Sequence, residues 1–176
     1  MNRRRLTAEE VRDSVLFVSG KLDRTMYGPG FRLFVLEHPQ HSPHYEYHKH
    51  DPDDPASHRR SVYRFIGRSQ PDPFMTTLDC ADSSQSVPRR DETVTALQAL
   101  SLLNNKFMLR MAEHFRDRLH VESTTSTEHI KRALQLATGR DPTDEQTVAL
   151  KEYASEFGTA NLCRLIFNLN EFVFVD

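Results

Sequence analysis

Thr93 to Leu119 reads TVTALQALSLLNNKFMLRMAEHFRDRL. Leu97, Leu100, Leu103, Phe107, Met111, Phe115 and Leu119 recur there at steps of three and four, the period of one buried helix face. Asn104 and Asn105 interrupt the stripe. Asparagine competes for backbone hydrogen bonds, so the pair marks a kink or a break into two helices. Buried amides also need partners, and these two are expected to hold the preceding loop against the helices.

Working outward, the downstream chain repeats one pattern of cap, stripe and stop. Thr125 with Glu128 forms a capping box for a helix to Thr138 that carries Ile130, Ala133, Leu134 and Ala137 inward and is closed by Gly139. Thr143 with Gln146 caps the next, which carries Leu150, Tyr153 and Phe157 and stops at Gly158. A last helix from about Ala160 to Leu169 places Leu162, Leu165, Ile166 and Leu169 on one side, before a Phe172 to Val175 tail. Upstream, Thr7 and Glu10 make another box, and Val11, Val15, Val18 and Leu22 give a helix from Leu6 to about Arg24. Gly28, Pro29 and Gly30 end it. To about Arg59 the chain is then rich in His, Pro, Asp and Tyr without a period, and Ser61 to Ile66 has the β-branched and aromatic content of a short strand.

The fold expected is therefore mainly α: a C-terminal bundle of about four helices over 91–176, preceded over 1–90 by a helix, a long irregular segment and one short strand. We expect 1–176 to be a single domain and a piece of a larger protein. With 176 residues a core is affordable in area, but only 38% of them are apolar, so it must be concentrated in the striped segments. A net charge of -2 argues against a broad grip on nucleic acid, and no stretch has the roughly twenty apolar residues of a membrane span. Neither nucleic acid nor membrane insertion is expected. The 2 cysteines, Cys80 and Cys163, are too far apart for a haem-attachment or metal-knuckle motif.

Several segments in order carry a family resemblance: Leu6 to Ser14 (LTAEEVRDS), Arg60 to Phe65 (RSVYRF), Leu78-Asp79-Cys80, Thr95 to Leu100 (TALQAL), Leu102 to Asn105 (LLNN), Thr138 to Pro142 (TGRDP) and Asn168 to Phe172 (NLNEF). Together they resemble the C-terminal region of the "domain of unknown function 1553" family of planctomycete-type bacteria. The resemblance implies a large exported protein in which this domain follows another uncharacterised domain and often a cytochrome-c-like module. It supplies no catalytic residues.

Three constellations are candidates for chemistry. His38, His41, His44, His48, His50 and His58 lie among Glu37, Glu46, Asp51, Asp53 and Asp54, which are ligand types for zinc and other divalent metals. His44, His48 and His50 are the ligands this reading names. Against it, no HExxH spacing places two imidazoles on one face, and Pro39 and Pro43 imply an irregular backbone; a solvated or partner-covering loop, charging as pH falls, is the simpler account. Cys80 has acidic sequence neighbours in Asp79 and Asp82, which disfavour a thiolate, so packing is its simpler role, as it is for Cys163 on an apolar helix side. Arg59, Arg60, Arg64, Arg68, Arg89 and Arg90 offer an anion or polysaccharide-sulfate site, with ion pairing to the many acids as the plainer alternative.

The leading functional expectation is a non-catalytic accessory or interaction module that contacts upstream domains or a separate chain. It predicts that the Val11, Val15, Val18, Leu22 stripe is left incompletely covered. The alternatives are a metal-dependent hydrolase of extracellular polymers using the histidine loop, and an electron-transfer accessory to a cytochrome-c-like partner.

Overall fold

The computed structural model describes residues 3–38, 42–86 and 88–175. It is mainly α, with the weight of helix downstream. Strand β1 (Arg4–Arg5) leads into α1 (Ala8–Val18); β2 (Val35–Glu37) and β3 (His44–Glu46) follow, then the short α2 (Pro73–Thr77). The bundle comprises α3 (Ala96–Asn104), α4 (Lys106–Glu122), α5 (Ser126–Thr138), α6 (Asp144–Phe157), α7 (Thr159–Ile166) and α8 (Asn170–Val173), and β4 (Phe174–Val175) ends it.

Each of the three expected capping boxes forms, with the threonine hydroxyl accepting from the third helical N–H and the Glu or Gln side chain accepting from the cap N–H. A fourth, Thr95 with Gln98, starts α3. Its T-x-x-Q spacing is present in the sequence and sets the helix start at Ala96, three residues after Thr93, where the striped segment begins. The helix break falls at Asn105, which ends α3 and caps α4 through its side-chain oxygen, 2.9 Å from the Phe107 nitrogen. Asn104 differs from expectation: its oxygen accepts from Arg164 of α7 at 2.6 Å, so it ties helix to helix and not loop to bundle.

The core runs through α1, α2, α4, α5, α7 and α8 and includes Leu102 of α3. Helix α4 lies along α7, with Phe115 stacked on Phe167 at 5.6 Å between ring centres. Helix α1 packs on α4 and α5, and β1 pairs antiparallel with β4, so the chain start and the chain end close the same body.

Four expectations need correction. The stripe from Leu97 to Leu119 is buried only from Met111 on; Leu97 and Leu100 are 65% and 54% exposed, because α3 turns Gln98 and Leu102 inward. Restarting the helix at Asn105 resets the phase between the two halves. Helix α1 stops at Val18, not near Arg24, where Gly20 takes a left-handed φ of 76°. The Ser61 to Ile66 strand is absent: Ser61–Tyr63 is a 3-10 turn, and only an isolated bridge joins Arg64 to Phe31. The β pairing of this region is the β2–β3 hairpin inside the segment expected to be irregular. Phe157, finally, is half exposed, and α6 contributes only partly buried residues such as Leu150 and Tyr153 to the core.

Segment 23–90 lies across α1 and the start of α4 and is fastened by side chains to backbone carbonyls. Arg12 donates to the carbonyls of Ser57 and Arg59, Arg59 to those of Thr25, Tyr27 and Pro29, and Lys106 to that of His50. A small aromatic cluster of Phe34, Tyr45, Tyr47 and Phe65 gives it some apolar substance. Two glycines permit this packing. A Cβ at Gly30 would stand 2.7 Å from the Tyr63 carbonyl oxygen, and one at Gly67 would stand 2.7 Å from the Tyr45 ring.

Candidate functional site

Arg12 occupies a position on α1 that its spacing to Ala8 and Val15 makes inward-facing, and it is only 2% exposed. Phe31 and Phe107 cover its guanidinium at 5.0 and 5.6 Å. Besides the two carbonyls, it donates to the Ser61 hydroxyl at 3.1 Å, and Asp13 lies 3.5 Å away. Asp13 in turn accepts from the Ser61 nitrogen and hydroxyl, which fixes the turn at 61–63 against α1. Burial pulls the Arg12 pKa down to about 10, so the group stays charged at neutral pH.

Above this cation opens a pocket of about 330 Å³, walled by Leu33, Tyr47, Pro52, Pro73, Phe74 and Phe107, with His48, His50, Asp72, Asn105 and Lys106 as its polar groups. The start of α4, with its Phe107 N–H capped by Asn105, faces it, so the helix dipole adds to the positive field of Arg12 and Lys106. Asp72 is buried. Its side chain accepts from the nitrogens of Phe74 and Met75 as the cap of α2, and burial, opposed by Arg64, raises its pKa. Burial lowers the pKa of His50, whose Nε2 is sealed from solvent without a hydrogen-bond partner among the described residues. Burial, helped by Asp72, pushes the Tyr47 hydroxyl up to about 12, and that hydroxyl donates to the Gln70 carbonyl. Apolar walls with a few convergent polar groups suit recognition of a compact group.

The predicted histidines are dispersed. His48, 72% exposed, and His50 share the rim of this pocket, whereas His44 lies outside its lining. His44 and His48 flank Glu46 at 4.0 and 3.2 Å. His58 is buried with Nε2 2.8 Å from the Pro52 carbonyl oxygen, His38 is exposed, and His41, with Pro39, lies outside the described residues. Among the described residues no group of three or more His, Cys, Asp or Glu side chains is placed to hold a metal ion. Cys80 touches Glu9 at 3.4 Å and accepts from Arg64 at 3.3 Å; burial first and Glu9 second raise its pKa, so the thiol is a poor nucleophile. Cys163 is fully buried core, and burial raises its pKa as well. Of the arginines, Arg90 pairs with Glu9 at 2.9 Å, and Arg59 lies over the Tyr63 ring.

Sequence reasoning missed Arg12, Asp72, Phe74 and Lys106. For Arg12 a signal existed, an arginine inside the apolar spacing of α1; for the others the pocket exists only once α2 and α4 are brought together.

One prediction about α1 fails outright. Val11, Val15 and Val18 are 1%, 0% and 2% exposed, and Leu22 packs against the core, so the stripe is covered by the chain itself and offers no docking face. The family described as "Protein of unknown function (DUF1553)" matches residues 1–154. The chain belongs to the DUF1553 family. Both the α1 anchor and the pocket residues fall within the part of the chain that the DUF1553 match covers. No match is found among curated proteins or among solved structures. Among the described residues no helix is long and apolar enough to cross a membrane.

Proposed function

We propose that this DUF1553 chain is a non-catalytic interaction module of a larger exported protein, and that its pocket over Arg12 receives an apolar anchor group from a neighbouring domain or chain. The observation that carries this reading is the pocket itself: two phenylalanines and a leucine wall a cavity whose floor is a buried, already hydrogen-bonded guanidinium. A compact cavity of this kind suits one large side chain, and such anchors dominate the energy of many interfaces. Cys80 gives little support to an enzyme reading, since its thiol is held protonated.

Export, planctomycete origin and a cytochrome-c-like neighbour join this reading through the family resemblance. A divalent ion at His44, His48 and His50 is a separate proposal that rests on residue types, and metal analysis of tag-free protein addresses it.

The test is a calorimetric titration of the chain with the remaining segments of its natural polypeptide, repeated with Leu33→Trp, which fills the cavity from its wall. Binding that weakens roughly tenfold or more in a folded Leu33→Trp variant is the expected result. Equal affinity of the two forms removes the pocket from the reading.

A further inference from the structure

A second cavity, of about 300 Å³, lies on the other side of Asp72 and is lined by Arg64, Arg68, Thr76, Cys80, Asp82 and Ser83 among others. Arg64 is 8% exposed. A guanidinium carries five donors, yet the one acceptor found for Arg64 among the described residues is the Cys80 sulfur, and its Nε is sealed without a partner. Asp72, the nearby carboxylate, is committed to the α2 nitrogens through Oδ1. Asp72 attracts Arg64 only from beyond ion-pair distance; a buried cation so weakly compensated is costly, and the cost falls when an anion enters beside it. Arg68, exposed at the mouth, adds a second fork of donors.

We propose that this cavity binds a monoanionic oxyanion, a carboxylate or a sulfate ester, between Arg64 and Arg68. The limit to one negative charge follows from the acids that share the lining. Asp82 stands exposed at the mouth, where the nitrogen and hydroxyl of Ser84 and the Gln85 amide donate to it, and Asp72 forms part of the wall. A second charge on the ligand would face both. This assignment is independent of the anchor pocket over Arg12.

Cys80 lies in the lining and reports occupancy, with the fully buried Cys163 as an internal control. Because the Cys80 thiol is held protonated its alkylation is slow, so modification by excess iodoacetamide is to be followed over hours by peptide mass spectrometry in sodium acetate, sodium methyl sulfate and sodium phosphate against sodium chloride at matched ionic strength. Acetate, methyl sulfate or both should slow Cys80 modification saturably, and which of them acts tells a carboxylate ligand from a sulfate ester. Phosphate, largely a dianion at pH 8, should be weaker. Arg68→Gln, an exposed change that leaves the core intact, should reduce the affinity roughly tenfold, and Arg64→Met should abolish the protection. Protection by chloride equal to that by the oxyanions, stronger protection by phosphate, or full protection retained in Arg68→Gln would each overturn the proposal.

Discussion

The downstream bundle and segment 23–90 are held by different means. In the bundle, apolar faces meet across α4, α5 and α7, and each of α3, α5 and α6 starts with its own capping box. In segment 23–90 the regular elements among the described residues are a hairpin of three-residue strands, the five-residue α2 and single 3-10 turns, and much of the chain is fastened by cationic side chains reaching its carbonyls. Asp53 adds to this by accepting from Arg110 and pairing with His114, both on α4 and both at 2.6 Å. The contrast teaches that an aperiodic segment can be ordered from outside. Its backbone carbonyls need partners, and Arg12 of α1 and Lys106 of α4 supply some of them from outside while Arg59 supplies others from within the segment.

That contrast can be broken most forcefully in the bundle. Phe115 is fully buried, and Phe115→Ala should lower the unfolding free energy by about 3–5 kcal/mol in chemical denaturation, with both regions melting together. A loss below about 1 kcal/mol would mean that the α4–α7 seam is not the main support. Next in size, Arg12→Leu removes the donor to two carbonyls and leaves Asp13 short of a cation, for a loss of about 3 kcal/mol. Its signature is regional: amide exchange should quicken across 57–64 while the amides of α4, α5 and α7 keep their relative protection. Uniform acceleration would show that the two regions do not differ in the way described.

The smallest effect sharpens the comparison at the α1 cap. The Arg4 side chain, then the Thr7 nitrogen, hold the Glu10 carboxylate near a pKa of about 2, against its ordinary 4.5. A pKa depressed by folding contributes stability that is complete above 4.5 and is lost as pH falls toward about 2. For a partly exposed pair this amounts to less than about 1 kcal/mol. The Tm of Glu10→Gln measured across that window should depend less steeply on pH than that of the parent; identical slopes would remove the ion pair from the cap.

The helical character, the three boxes at Thr7, Thr125 and Thr143, the break at Asn105 and the inward faces of α5 and α7 were all legible in the sequence, because each is decided by residues three or four apart. The face that α3 buries was not legible. Leu97 and Leu100 match the periodic stripe as well as Leu102 does, and only the direction in which α3 leaves Asn105 chooses between them. The candidate site was least legible of all. The histidines that drew attention lie apart, while the pocket depends on Arg12 meeting carbonyls 45 and 47 residues away and on α2 reaching the start of α4. By itself the sequence determined where helices begin, stop and face apolar partners, since those are local choices of hydrogen bonding and spacing. Only the tertiary structure decided which polar groups end up buried together, since their desolvation and pairing depend on the path of the whole chain.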